Sequence, residues 1–190
     1  MAMVYDYLFF VMWGAYLVYW WAKSTNVKET ERKESMPSRL IRFASILTAV
    51  VLLGIRSIPL GLLDERFLPM GVTGFWIGAG FTLIGLLFSV WARNHLGNNW
   101  SQVVAIKEGH QLITSGPYAF VRHPIYSGLL LGFVGSAVAL GQWRGLLAVA
   151  LVFGVLRSKL RLEEKWLRVQ FGDSYDSYCR RVRALVPYVL

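Results

Sequence analysis

The chain has 190 residues, 55% of them hydrophobic, 15% aromatic and only 16% charged, with a mean hydropathy of +0.45 and a formal net charge of +9. Soluble domains carry about 25% charged residues, so the composition points away from a soluble globular domain and towards a one-domain polytopic membrane protein. The basic residues border apolar runs without any nucleic-acid-reading motif, which argues for anionic lipid headgroups rather than nucleic acid as their partner, and the lone Cys179 excludes an intramolecular disulfide and a zinc pattern, so no metal site is expected. Five apolar runs follow in chain order, at 4–22, 43–63, 72–91, 125–140 and 145–156. A helix needs about 20 apolar residues to cross about 30 Å of hydrocarbon. The first three runs meet that length. The fourth does so if it starts at Pro124 and passes Gly141, and the fifth if it extends to Leu160 with Arg157 and Lys159 snorkelling to the interface.

The expected fold is therefore all-α: five transmembrane helices and a cytoplasmic C-terminal helical segment. Residues 1–190 form a single domain, with a three-span scaffold over 1–91 and a polar bridge, two spans and the tail over 92–190. The first run lacks a basic flank and exceeds the core of a signal peptide, so it reads as a span. With the N-terminus outside, all but Arg56, Arg66 and Arg144 of the 20 Lys and Arg residues fall on the cytoplasmic side, the N-out/C-in arrangement that the positive-inside rule favours. Residues 23–39 mix charge signs and read as a solvated connector. Pro59 is expected to kink or end the second helix. The third run carries Gly74, Gly78, Gly80 and Gly85, and the fourth carries Ser127, Gly128, Gly132, Gly135 and Ser136. The Gly74/Gly78 and Gly128/Gly132 spacings suit close helix packing, and Gly128 is also placed to clear room for a ligand one turn into its helix.

The bridge between runs three and four concentrates Gly109-His110-Gln111-Leu112-Ile113, Gly116-Pro117-Tyr118 and Arg122-His123-Pro124-Ile125-Tyr126-Ser127-Gly128. Polar residues at a membrane edge are expensive to keep and mark a candidate site. Pro124 suits the first position of a helix, whose free N–H groups favour an anion. Arg122 can add a bidentate clamp, His110 and His123 can change charge near neutral pH, and Tyr118 and Tyr126 offer aromatic faces to a cation. Leu112 and Ile113 could line a slot for a flat heterocycle. The tail opens with Arg157-Ser158-Lys159-Leu160-Arg161-Leu162-Glu163-Glu164. A salt-bridged helix explains much of this spacing; the functional alternative is that Glu163 or Glu164 meets a cation or a ribose hydroxyl. Gly172-Asp173 is expected to break that helix, with a second helix over 175–183 and an extended end at Val186-Pro187-Tyr188. An anion seat, a cation-tolerant wall and a heterocycle slot are the complements of S-adenosylmethionine. The soluble nucleotide fingerprint GxGxxG after a strand is absent.

The string Gly-His-x-Leu-Ile-x-x-Gly-Pro-Tyr-x-x-x-Arg-His-Pro-x-Tyr-x-Gly, then two spans, then Glu163-Glu164, Phe171-Gly172, Tyr175, Tyr178 and Val186-Pro187, resembles the isoprenylcysteine carboxyl methyltransferase family. Leu96-Gly97-Asn98-Asn99-Trp100-Ser101 is similar to its prokaryotic members. The resemblance covers about 94–190 and extends to the wider superfamily of integral membrane methyltransferases, which includes phospholipid methyltransferases; sterol reductases share a similar tail. It implies a five-span core and an S-adenosylmethionine pocket closed by the bridge and the tail. The family motifs match His110–Ile113, Tyr118, His123–Tyr126 and Glu163. With the residue reading above, the expected cofactor-binding set is His110, Gln111, Leu112, Ile113, Tyr118, Arg122, His123, Pro124, Tyr126, Gly128, Glu163 and Glu164. The family's substrate-orienting arginine falls on Lys159, a point charge in place of a planar fork, so Arg157, Lys159 and Arg161 are the candidates for holding the acceptor.

The expected activity is methyl transfer from S-adenosylmethionine to a lipophilic or lipidated acceptor at the carboxylate of an isoprenylcysteine-like molecule. The expected location is the inner membrane of a prokaryote, with the active site facing the cytoplasm. Phospholipid or amine N-methylation and a non-enzymatic membrane scaffold stay open as alternatives. A sterol-type reductase is disfavoured by the short chain. The oligomeric state is left open.

Overall fold

The computed structural model describes residues 2–24, 36–55, 58–69, 71–97 and 112–187, so Arg56, Asn98–Ser101, His110 and Gln111 lie outside the described residues. Six helices follow in chain order: α1 (Ala2–Ser24), α2 (Met36–Gly54), α3 (Val72–Leu96), α4 (Pro124–Leu140), α5 (Trp143–Phe171) and α6 (Asp173–Arg181). Short 3-10 turns occupy Gly61–Asp64 and Gly116–Ala119. The described residues contain no strand, only the isolated bridges Arg66–Gln142 and Val121–Arg183. Two helices, Met36–Gly54 and Val72–Leu96, are long and apolar enough to cross a membrane, and Pro124–Leu140 is apolar but shorter. Phe10, Leu17 and Trp21 of α1, Ile41, Phe43 and Leu47 of α2, and Trp76, Ile84 and Leu87 of α3 are exposed, a surface suited to lipid rather than water.

The core is an α3–α4 pair flanked by α1, α2 and α5. The pair is close because glycine backbones touch. A Cβ at Gly85 would come within 2.5 Å of the Gly128 carbonyl oxygen, and one at Gly78 within 2.5 Å of the Gly135 carbonyl oxygen. The seam thus runs through Gly78 and Gly85 against Gly128, Gly132 and Gly135, while Gly74 faces open space. Gly128 is filled by the α3 backbone and makes no room for a ligand. Lipid tails are as apolar as leucine, so such helices are held by packing and interhelical hydrogen bonds. Here the Thr82 hydroxyl lies 3.2 Å from the Gly132 carbonyl and 3.3 Å from the Ser136 hydroxyl, Trp13 Nε1 donates to Ser136 Oγ at 3.1 Å, and Tyr16 pairs with Ser89 at 2.8 Å.

α2 is displaced towards the N-terminus from the expected 43–63. It starts at Met36-Pro37, where a proline in the first turn sacrifices no intrahelical bond. Its end is set by a residue far away in sequence. Arg144 is 1% exposed and donates from Nε to the Leu52 carbonyl at 2.7 Å and from Nη2 to the Ile55 carbonyl at 2.6 Å. These carbonyls lie in the last turn of α2 and at the residue just past it, where no intrahelical donors reach them. Nη1 pairs with Asp64 at 3.0 Å, and the other Asp64 oxygen accepts the Leu60 N–H at 2.6 Å. The chain then returns to the α4–α5 turn, where Phe67 N–H donates to the Gly141 carbonyl and Trp143 N–H to that of Glu65, both at 3.1 Å. Pro59 therefore lies beyond the helix rather than kinking it.

α5 runs unbroken for 29 residues, about 44 Å at 1.5 Å per residue. Its apolar first half packs into the core, and its second half leaves the bundle carrying Lys159, Glu163, Glu164 and Arg168. Gly172 ends it and α6 begins at Asp173, two residues before the expected start.

Candidate active site

The short Gly141–Gln142 turn makes α4 and α5 antiparallel neighbours, which brings the start of α4 beside the exit half of α5. His123 is the N-cap of α4 and is 8% exposed. Its Nδ1 lies 3.6 Å from Glu163 Oε2 and its Nε2 lies 3.4 Å from Glu164 Oε1. The second contact is an ion-pair distance without hydrogen-bond alignment, so Nε2 is a buried atom with no hydrogen bond among the described residues. The imidazole stacks on Tyr126 at 5.6 Å with a 2° interplanar angle, and the Tyr126 hydroxyl donates to Glu163. Lys159 Nζ sits 3.8 Å from Glu163 Oε1 and 5.3 Å from the centre of the Tyr126 ring. Arg168, one turn beyond, reaches Glu164 at 4.0 Å.

Burial works against charge in this cluster, but the partners outweigh it. Desolvation alone would raise both glutamates. His123 and the Lys159 charge hold Glu163 below its ordinary value, and His123 and Arg122 hold Glu164 down to about 2. Desolvation would likewise neutralise His123, yet the two carboxylates raise its pKa above the ordinary 6.5. The two carboxylates thus favour the cationic imidazole over the neutral one.

Arg122 has a different part. Its Nε and Nη2 donate to Glu164 Oε1 at 3.0 and 2.5 Å, and its Nη1 donates to the Val182 carbonyl at 2.5 Å and the Cys179 carbonyl at 3.4 Å. All three guanidinium nitrogens are engaged in fastening the bridge to α5 and to the end of α6. The backbone donors before α4 are also taken: Arg122 N–H by the Arg183 carbonyl at 2.8 Å and His123 N–H by that of Ala184 at 3.0 Å. Ser127 Oγ donates to the Leu185 carbonyl at 2.5 Å. Residues 182–185 therefore strap across the start of α4, and Pro124 is buried beneath them.

Tyr118 is buried, and its carbonyl accepts the Tyr178 hydroxyl at 2.6 Å, which ties the bridge to α6. Leu112 and Ile113 are half-buried. Leu112 and Thr114 face Asp173, Ser174, Ser177, Tyr178 and Arg181 across an open cleft of about 480 Å³. Among the acceptor-holding candidates, Lys159 joins the cluster, whereas Arg157 and Arg161 are exposed. Each stands two positions from Lys159, which on a helix with 3.6 residues per turn turns it away from the Lys159–Glu163 face.

His95 was not singled out from the sequence. It ends α3 and packs its ring over Gly116, where a Cβ would come within 2.7 Å of it and where φ is +59°. Only glycine meets both demands cheaply. His95 Nε2 is 3.0 Å from Ser115 Oγ, and the ring stacks on Tyr118 at 6.4 Å. The only sequence signal was a histidine in the last turn of a helix, which names no partner.

A family model described as phospholipid methyltransferase matches residues 73–174. The protein-S-isoprenylcysteine O-methyltransferase of Schizosaccharomyces pombe is 34% identical over 113 residues, covering 58% of this chain and 48% of that protein. A protein of Oryza sativa subsp. indica named "Probable protein-S-isoprenylcysteine O-methyltransferase" is 33% identical over 134 residues, 67% of this chain and 70% of that protein. The nickel-cobalt-cadmium resistance protein NccN of Alcaligenes xylosoxydans xylosoxydans is 29% identical over 114 residues, 60% of this chain and 52% of that protein. The chain spans about half the length of the fission yeast relative it matches.

Proposed function

This chain belongs to the phospholipid methyltransferase family and, within it, to the isoprenylcysteine carboxyl methyltransferases, and from that premise we propose that it methylates the carboxylate of a lipophilic, isoprenylcysteine-like acceptor with S-adenosylmethionine as donor. The observation that carries the reading is the meeting of Glu163, His123 and Tyr126 at one spot where the bridge folds onto the exit half of α5.

The residues there suit the donor. Glu163 and the face of Tyr126 would hold its cationic groups, and the half-buried Leu112–Ile113 stretch its adenine. His123 Nε2, buried without a hydrogen bond, is a donor ready for an anionic group. Glu164 and Arg122 would keep His123 and the strap in place. His110, Gln111, Tyr118 and Pro124 complete the proposed pocket on the strength of the sequence motif. When bound, S-adenosylmethionine supplies an electrophilic methyl group. A carboxylate acceptor with a pKa near 4 is ionised at neutral pH and needs no base. An amine or thiol acceptor would benefit from one, and the two glutamates that raise the His123 pKa favour its protonated form, which is a poor base. That favours O-methylation over N-methylation. The task of the protein is then to orient the acceptor, through Lys159, and to exclude water.

In this reading α1, the first half of α5 and α4 span the membrane with α2 and α3, giving five spans, N-out/C-in. Residues 1–190 act as one unit, with the site on the cytoplasmic leaflet of a prokaryotic inner membrane. The test is incubation of detergent-solubilised protein with methyl-labelled S-adenosylmethionine and prenylcysteine, fatty acid and phospholipid acceptors. Base-labile, volatile label on the prenylcysteine is the expected result. Stable label on an amine would replace this reading with N-methylation.

A further inference from the structure

We infer that Lys159 occupies, as a tethered competitor, the seat that Glu163 and Tyr126 offer to the donor's cationic group, and that it takes the acceptor's carboxylate only when displaced from that seat, an assignment that rests on the reading above. The Glu163 carboxylate is approached from two sides. Its Oε2 lies 3.6 Å from His123 Nδ1, while its Oε1 accepts the Tyr126 hydroxyl and lies 3.8 Å from Lys159 Nζ. The His123 side is closed. That side chain is 7% exposed, caps α4, stacks on Tyr126 at 2° and is tied through its N–H to the Ala184 carbonyl. The other side is open, since the Lys159 side chain is 35% exposed. A ligand cation thus reaches Glu163 where Lys159 now stands, with the Tyr126 ring centre 5.3 Å from Nζ. A carboxylate beside an aromatic face is what recognises an organic cation, and the chain's own ammonium already has both.

Two cations do not share that seat. Glu163 and Glu164 already face His123, Arg122 and Lys159, so a further cation leaves the cluster with surplus positive charge at short range. Lys159 is the member able to leave. Its ammonium rides on a flexible four-carbon stem and makes a single-point contact, whereas a planar guanidinium there would grip the carboxylate with a fork. Lys159 also stands four residues before Glu163, about 6 Å along α5 towards the apolar half of the helix. A lipophilic acceptor whose tail lies in the bilayer brings its head to the level of Lys159 first. With Glu163 taken by the donor, the Lys159 charge at that level is answered by the acceptor's carboxylate. One residue therefore opposes the first ligand and seats the second, and each ligand strengthens the site's hold on the other.

The test uses the full chain in nanodiscs. Calorimetry reads the affinity for S-adenosylhomocysteine, which keeps the donor's ammonium, and labelled S-adenosylmethionine reads the KM of N-acetyl-S-farnesylcysteine as the carboxylate probe. Lys159→Met removes the competing charge and keeps the length of the stem. It is expected to bind S-adenosylhomocysteine about fivefold more tightly, the scale of a partly exposed cation on an aromatic face, while the probe's KM rises. Opposite shifts separate a competitor from a structural support, whose loss weakens both ligands. Lys159→Arg keeps a cation on the seat and is expected to show no gain in S-adenosylhomocysteine affinity. Lys159→Gln repeats the measurement where the methionine variant folds poorly. Unchanged or weaker S-adenosylhomocysteine binding in the folded Met and Gln variants overturns the competitor, and leaves carboxylate methylation standing where the wild type labels the probe. A wild type that labels amine lipids and not the probe overturns the underlying reading and this inference with it.

Discussion

Two charged clusters sit at opposite ends of the α4–α5 pair, and they handle burial differently. At the outer end in the proposed orientation, Arg144 is enclosed, and each of its three guanidinium nitrogens donates, two to the last carbonyls of α2 and one to Asp64. Every contact of Arg144 there joins secondary-structure ends. At the other end, Arg122 is similarly committed, but the group beside it is not. His123 lies between two carboxylates, with Nε2 buried and without a hydrogen bond among the described residues, and Tyr126 and Lys159 crowd the same glutamate. Buried polar groups are almost always satisfied, so one that is not marks where a further partner belongs. Both clusters contain a buried arginine–carboxylate pair; one is a structural latch, and the other adds spare binding capacity to the latch.

The sharpest way to break this comparison is Arg144→Ala. Removing the buried guanidinium leaves one oxygen of the partly exposed Asp64 and two carbonyls at the end of α2 without their donor, an expected loss of about 3 kcal/mol in unfolding experiments, with S-adenosylhomocysteine affinity of the folded fraction unchanged. A variant that kept its stability but lost ligand binding would make the outer cluster part of the site. Glu163→Ala should do the reverse. Stabilisation by S-adenosylhomocysteine in a thermal shift is expected to vanish, with a smaller fall in the melting temperature of the ligand-free protein than Arg144→Ala causes.

The pH dependence of stability should separate the clusters more finely. Glu164 has a folded pKa of about 2, below its ordinary 4.5, so its contribution is present above 4.5 and is lost as pH falls towards 2. His123 is raised above 6.5, so its contribution is present below 6.5 and is lost as pH rises through its folded value. Wild-type melting temperature should therefore be highest between about 4.5 and 6.5 and decline on both sides. His123→Asn should remove the decline on the alkaline side; if it persists, another group is responsible. The smallest effect is expected at the bridge, where Ser115→Ala removes a single exposed hydrogen bond to His95, worth about 1 kcal/mol or less. Faster amide exchange confined to 112–121 would report it, and global loosening would not fit.

Much of this was legible along the chain. The apolar runs gave the helices, because length and hydropathy are local quantities. The bridge and tail motifs named His123, Tyr126 and Glu163, which meet as expected. The glycine pattern announced close helix packing at Gly74/Gly78 and Gly128/Gly132; the seam uses Gly128 and Gly132 against Gly85, and Gly78 against Gly135, and leaves Gly74 in open space. Arg122 and Gly128 were taken as ligand groups, whereas the first fastens the strap and the second receives the α3 backbone. His95 gave no distinguishing signal.

Sequence alone determined where helices form, which surfaces are apolar and which polar residues are too costly at a membrane edge to be incidental, since each of these depends on residues a few positions apart. The tertiary structure decided where α2 ends, which glycines touch, and which arginines are latches. Arg144 and Asp64 are 80 residues apart, and Arg122 and Glu164 are 42 apart. The partner of a charge at such separations is set by helix register and packing, which no local pattern encodes.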